Sequence, residues 1–219
     1  MFIGHYSAAF IAATHPKAPS LGTLFIGAQL VDLEFFSFVL AGVEAMRITP
    51  GFTVMNPMDL YHMPYTHSLL GSAVWAIGFA LVLRVLLKSW MPALIGGAVV
   101  LSHWFIDLLV HGPDLTLWGS PPKLGLGLCN HPLIEMPLEI ALTFGTMCLF
   151  LRATVATRKS FAVPVLAVVL IALQAFNWFA PPPETLEPAQ PIMALIAYII
   201  AVAIALWMAQ TRIFKQPKG

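Results

Sequence analysis

The sequence predicts an all-α fold: a polytopic integral membrane bundle of about seven transmembrane segments, the first one short, with the N-terminus outside and the C-terminus cytoplasmic. Three observations predict it: an apolar composition, a series of apolar runs of bilayer length, and a lopsided distribution of basic residues. Of the 219 residues 59% are hydrophobic and 10% charged, with a mean hydropathy of +0.84, whereas a soluble domain carries about 25% charged residues. Lys+Arg 11 against Asp+Glu 10 leaves no polybasic tract. Nucleic-acid binding and electrostatic surface anchoring are therefore not expected, and the expected partner is the lipid bilayer itself.

The first segment, residues 2–14, has neither a basic n-region nor a small-residue cleavage pattern, so it reads as a retained membrane segment. It is short for a crossing at 1.5 Å per residue, and His15-Pro16 ends it. It is therefore either a short span or a helix that starts inside the membrane, and it is counted as the seventh. Apolar runs near the roughly 20 residues that a bilayer requires follow at 21–43, 67–87, 92–111, 133–151, 161–180 and 192–210. Connections are brief except for residues 44–66, with Pro50-Gly51 and Asn56-Pro57, and the Gly- and Pro-rich residues 112–132. Long irregular loops often cover sites. Of the two cysteines, Cys148 lies inside an apolar run, so no disulfide with Cys129 is expected. No internal repeat is visible, and residues 1–219 form one domain, with its site in residues 1–140 and two extra spans in 161–210.

Basic residues in short loops accumulate on the cytoplasmic side. Seven spans give one face Lys17, Arg84, Lys88, Arg152, Arg158, Lys159, Arg212, Lys215 and Lys218, and the other face Arg47 and Lys123. A split of nine to two places the C-terminus inside and both long loops outside.

Ionisable side chains within spans are costly and are functional candidates by default. His5, Asp32, Glu34, His67, His103, Asp107, His111, His131, Glu135 and Glu139 all fall in the outer half, and the last two spans hold no histidine or carboxylate. Residues four apart share a helix face, so His103, Asp107 and His111 form one polar stripe and His131, Glu135 and Glu139 another. A bare hydrogen-bonded His103–Asp107 pair fastening two helices is the alternative for that couple. Imidazole with carboxylate, and without paired cysteines, suits zinc, manganese or non-haem iron, in numbers exceeding one tetrahedral ion. Two ions bridged by a carboxylate such as Asp107 would suit phosphoester hydrolysis. Glu34 projects from another side of its helix. Glu139, Gln29, Ser102 and Asp114 are candidates for holding the ligands in place.

Four stretches carry a family resemblance: a GH followed by a small-residue helix at His5, LVDLE at Asp32 and Glu34, YTHSLLGS at His67, and LSHWFID at His103 and Asp107. With His111, His131 and Glu135 following in order, the chain resembles the YdjM-like membrane-bound metal-dependent hydrolases, which look related to zinc-dependent phospholipases C and single-strand-specific nucleases. The resemblance covers roughly the first 140 residues, and the last two spans add nothing to it. It implies one zinc on Asp32, His67, His103 and Asp107, a second on His111, His131 and Glu135, and a third on His5 with Asp107. Asp107, His103 and His67 are the implied catalytic residues. The usual Pro-Asp-x-Asp of the family reads Val-Asp-Leu-Glu here, and its His-Arg element reads His62-Met63.

The expected function is hydrolysis of a small-molecule or lipid phosphoester from the extracytoplasmic side of a bacterial inner (plasma) membrane, with Arg47 available to offset phosphate charge. A seven-span zinc ceramidase-like enzyme would carry His-x3-His in its last span, and di-iron hydroxylases carry HxxHH or HExxH. None of these occurs. The non-enzyme alternatives are a metal-ion or proton-coupled transporter, which needs polar residues continuing inward, and a non-catalytic metal-binding protein.

Overall fold

In the computed structural model, which describes residues 1–215, the first segment is not a seventh crossing. A 3-10 turn, Ile3–His5, leads into α1 (Tyr6–Ala12), whose 7 residues rise only about 10 Å against the roughly 30 Å of a hydrocarbon core. Of the two expected alternatives, the structure gives the helix that begins inside the bundle. The six longer runs become α2 (Leu21–Leu40), α3 (Leu69–Leu87), α4 (Trp90–Val110), α5 (Pro132–Ala153), α6 (Ala162–Phe179) and α7 (Ala189–Ala209), each long and apolar enough to cross a membrane.

Local chemistry sets the helix ends. Ser20 caps α2 by accepting the Thr23 N–H, and Ser68 caps α3 by accepting the Gly71 N–H at 2.9 Å. His67 is thereby spared from capping. Gly42, with φ of 70°, turns the chain after α2. Pro132 opens α5 at a position where the missing N–H costs nothing.

Apolar side chains cover the outside of the helices, with Val85 73% and Ile199 61% exposed, as lipid contact requires. Without water to expel, close van der Waals approach holds such helices together. A Cβ on Gly97 of α4 would lie 3.0 Å from the Ala76 carbonyl oxygen of α3, and one on Gly22 of α2 would lie 2.9 Å from the Leu206 Cα of α7. α1 fills the middle, packed on α2, α4 and α5. Its Tyr6 stacks on Phe25 at 4.1 Å, and Ile3, Ala9 and Phe10 are fully buried beside Phe150 and Leu166.

The two long loops are more ordered than their irregular sequences suggest. β1 (Ala45–Ile48) and β2 (Met58–His62) form an antiparallel hairpin. Residues 111–127 are stapled to helix ends by Leu69 N–H to Thr116 O and Leu70 N–H to Leu117 O, both 2.9 Å. At the far end β3 (Thr154–Ala156) pairs with β4 (Arg212–Phe214), and the Arg212 guanidinium donates to Thr154 Oγ1 at 2.8 Å and to the Leu151 and Thr154 carbonyls. Lys17 shares a groove there with Leu87 and Pro92. Lys218, counted with this basic end, lies outside the described residues.

Candidate metal centre

His103 and Asp107 sit four residues apart on α4, whose close packing against α2 brings His103 Nδ1 to 2.9 Å from the Ala28 carbonyl. A carbonyl oxygen only accepts, so Nδ1 carries the hydrogen and Nε2 faces inward as a bare lone pair or as a second N–H. His111 is held alike, its Nδ1 at 3.0 and 3.2 Å from the Asp114 carboxylate oxygens. His67 turns Nδ1 to Thr66 Oγ1 at 2.9 Å. All three rings therefore direct Nε2 toward Asp107 or Asp32.

The distances close a figure. His67 Nε2 lies 3.3 Å from Asp32 Oδ1 and 3.8 Å from Asp107 Oδ2, while His103 Nε2 lies 3.5 Å from Asp32 Oδ1 and 3.0 Å from Asp107 Oδ2. For ligand bonds of about 2.1 Å a tetrahedral ion has ligand-to-ligand edges of about 3.4 Å. The four contacts, four of the six edges of such a shell, straddle that value. The other oxygen, Asp107 Oδ1, faces His5 Nε2 at 3.0 Å, His111 Nε2 at 3.5 Å and the Met1 amino nitrogen at 3.4 Å. His5 stacks on His103 with centroids 3.8 Å apart and planes within 3°.

Electrostatics and hydrogen-bond satisfaction agree with a cation between these groups. Asp107 is 1% exposed and sits among imidazoles that are neutral unless they gain a second proton. Asp107 Oδ1 meets the Met1 amino group at 3.4 Å, whereas Oδ2 faces the His67 and His103 rings, and burying a carboxylate charge without a cation beside it is expensive. The Nε2 atoms of His5 and His103 are buried and make no hydrogen bond although each lies 3.0 Å from an Asp107 oxygen. Among the described residues two atom groups have ligand spacing, His5 with His103 and Asp107, and Asp32 with His67 and His103. Donor type and spacing both fit a divalent ion such as zinc.

The remaining expected ligands stand elsewhere. His131 is exposed and is the residue before α5, with φ of −124° and ψ of 68°. It lies outside the helix, so the four-residue stripe expected from it through Glu135 to Glu139 holds only for the two glutamates. Glu135 is buried with one oxygen unpartnered and belongs to neither group. Glu34 is half-buried and outside both groups, and His62 is exposed. Glu139 accepts the Phe2 N–H at 2.6 Å, the Gly4 N–H at 2.9 Å and Gln174 Nε2 at 2.9 Å. Gln29 Nε2 donates to the Phe2 carbonyl at 3.0 Å. Together these fix the turn that carries His5. Ser102 bonds back to Val99 of its own helix and takes no part.

Sequence reasoning missed the contribution of the last two spans. Tyr198 of α7 donates its hydroxyl to Asp32 Oδ2 at 3.0 Å, and Gln174 of α6 joins Glu139 to the Ile3 N–H. Each is one of the few polar residues of an otherwise apolar span, the signal that sequence offered. Glu44 and Thr66, both buried beside His67, were also missed. The chain matches no protein-family model, no curated protein and no solved structure.

Proposed function

We propose that this chain is a membrane-embedded, metal-dependent hydrolase of a phosphoester, loaded with zinc and working at the extracytoplasmic end of the bundle. The observation that carries this reading is the approach of Asp32 Oδ1 and Asp107 Oδ2 to both His67 Nε2 and His103 Nε2, four of the six edges of a tetrahedral shell, at 3.0 to 3.8 Å. The contacts of Asp107 Oδ1 with His5 and His111 support a second ion that shares Asp107, in place of one on His131 and Glu135. Kinship with the YdjM-like hydrolases is part of the same proposal and rests on the order of those residues in the sequence.

Bound zinc supplies Lewis-acid activation of water and of a phosphoryl oxygen. The chain's own residues do the rest: Asp107 offers one carboxylate oxygen to each half of the centre, Tyr198 orients Asp32, and Ala28, Thr66 and Asp114 orient three imidazoles. Arg47, expected to meet phosphate charge, is committed instead to Asp59, with Nε and a terminal guanidinium nitrogen both 2.7 Å from Oδ2.

Asp107 and His103 lie about 4.5 and 10 Å below the loop end of α4 at 1.5 Å per residue, a depth that suits a lipid phosphoester. Asp32 and His111 side chains keep 14% and 17% exposure, which leaves a way in. The basic residues of the opposite end support the orientation. Among the described residues every buried carboxylate and imidazole belongs to the loop end, which counts against an ion path through the bundle.

Elemental analysis of purified protein tests the proposal, with His103→Ala and His131→Ala compared. One or two zinc ions per chain are expected, lost in the first variant and retained in the second. Less than one transition metal per chain, unchanged by His103→Ala, would sink the proposal. Bis(p-nitrophenyl) phosphate and short-chain phosphatidylcholine serve as substrates for the zinc-loaded chain, and lack of turnover of both would remove the hydrolase reading.

A further inference from the structure

The left-handed turn at Gly42 delivers Glu44, 2% exposed, against the segment just before α3. Its Oε1 accepts the Tyr65 N–H at 2.7 Å and the Thr66 N–H at 3.0 Å, and its Oε2 accepts the Thr66 hydroxyl at 2.6 Å. That last distance is typical of a short, charge-assisted O–H···O⁻ bond. A threonine hydroxyl has one hydrogen. Because Glu44 receives it, the face of Thr66 Oγ1 turned to His67, 2.9 Å from Nδ1, is a lone pair. His67 Nδ1 must then bring the hydrogen itself, and Nε2 is the nitrogen left for a ligand bond toward Asp32 and Asp107.

We infer that Glu44, acting through Thr66, fixes which ring nitrogen of His67 carries the proton, and is therefore a positioning residue of the candidate centre. The inference rests on the metal reading only for its consequence, since the proton pattern itself follows from the hydrogen count. A purely structural Glu44, one that merely pins residues 65 and 66, makes the opposite prediction for a conservative substitution. Glu44→Gln keeps an oxygen for the two backbone N–H groups, so the pinning role loses little, whereas Glu44→Ala loses it all.

Under the relay, Glu44→Gln is the harsher change at His67. The amide NH2 replaces Oε2 and donates to Thr66 Oγ1, the hydroxyl hydrogen turns to His67 Nδ1, and the ring proton moves to Nε2, where it blocks the ligand bond. Glu44→Ala leaves the hydroxyl free to turn either way.

The experiment uses the full chain in bilayers with 15N-labelled histidine rings, and zinc titrated against a competing chelator. Wild-type His67 is expected to hold its proton on Nδ1 with and without zinc, and Glu44→Gln to lose it from that nitrogen. Zinc affinity should fall about 10- to 100-fold in Glu44→Gln, the usual range for partners that orient a ligand, and less in Glu44→Ala. If Glu44→Ala does not fold, Glu44→Gln with Thr66→Val carries the comparison, and it should bind zinc more tightly than Glu44→Gln alone. An unprotonated Nδ1 in the wild type overturns the inference, as does a Glu44→Gln that binds no more weakly than the comparison variant. A wild-type chain that binds no zinc but shows the Nδ1 proton, shifted in Glu44→Gln, refutes the metal reading and leaves the relay standing.

Discussion

Replacing Tyr198 by phenylalanine deletes one oxygen from α7 and changes nothing else in its surroundings. The ring keeps its edge contact with Phe2, centroids 5.5 Å apart, and its neighbour Phe36 at 6.2 Å. What is lost is the 3.0 Å hydrogen bond to Asp32 Oδ2. A bond to an ionised group contributes about 1.5–3 kcal/mol, and each 1.4 kcal/mol is about a factor of ten in affinity. Asp32 Oδ1 is one corner of the proposed ion's shell, so loss of its orienting partner should weaken zinc about 10- to 100-fold, the range measured for such partners elsewhere. Chelator competition on the purified protein reads the change, and at saturating zinc the stoichiometry should stay that of the wild type. Tyr198→Phe within about twofold of wild type would refute the argument that α7 completes the site.

Other substitutions probe other parts of the same arrangement. A Cβ at Gly71 would overlap the Tyr65 carbonyl oxygen, whereas one at Gly78 meets nothing within 4 Å. Gly71→Ala should therefore cost about 1–3 kcal/mol of stability and weaken zinc by displacing His67, while Gly78→Ala should do neither. Equal zinc affinity and thermal stability in the two variants would contradict this. Glu139→Ala strands three donors, each worth about 1–3 kcal/mol when left unpaired. Thermal unfolding in detergent should show it far less stable than Glu135→Ala, and parity between them would remove Glu139 as the clamp on the His5 turn. Single cysteines at Lys88 and Lys123, with Cys129 and Cys148 made serine, report orientation. A membrane-impermeant maleimide applied outside intact cells should label position 123 alone, and labelling of position 88 alone would invert the proposed orientation.

The spans were legible because a bilayer demands about 20 apolar residues wherever a helix crosses, and each of the six long helices begins and ends within a few residues of its apolar run. The first segment was not settled by that rule, since apolarity fixes burial and not length. α1 is apolar because it lies at the centre of the bundle. The hairpin of β1 and β2 was invisible, its short strands mixing Met, Arg and Asp. At the site, His103 and Asp107 were readable from helical spacing. The stripe drawn from His131 does not start on a helix, because four-residue spacing is meaningful only once the helix has begun, and α5 begins one residue later. Tyr198, Gln174, Glu44 and Thr66 could not be placed from sequence, because their role depends on which helices become neighbours.

The dependence of Asp32 and Glu139 on α7 and α6 also has a bearing on how the protein is made. A nascent chain inserted only as far as α5 already holds every imidazole and carboxylate of the centre. It still lacks the tyrosine that orients Asp32 and the glutamine that joins Glu139 to the backbone of Ile3. Synthesis of the final helical hairpin is thus what supplies these contacts, and under the proposed metal reading a chain truncated after α5 would hold its ion more loosely.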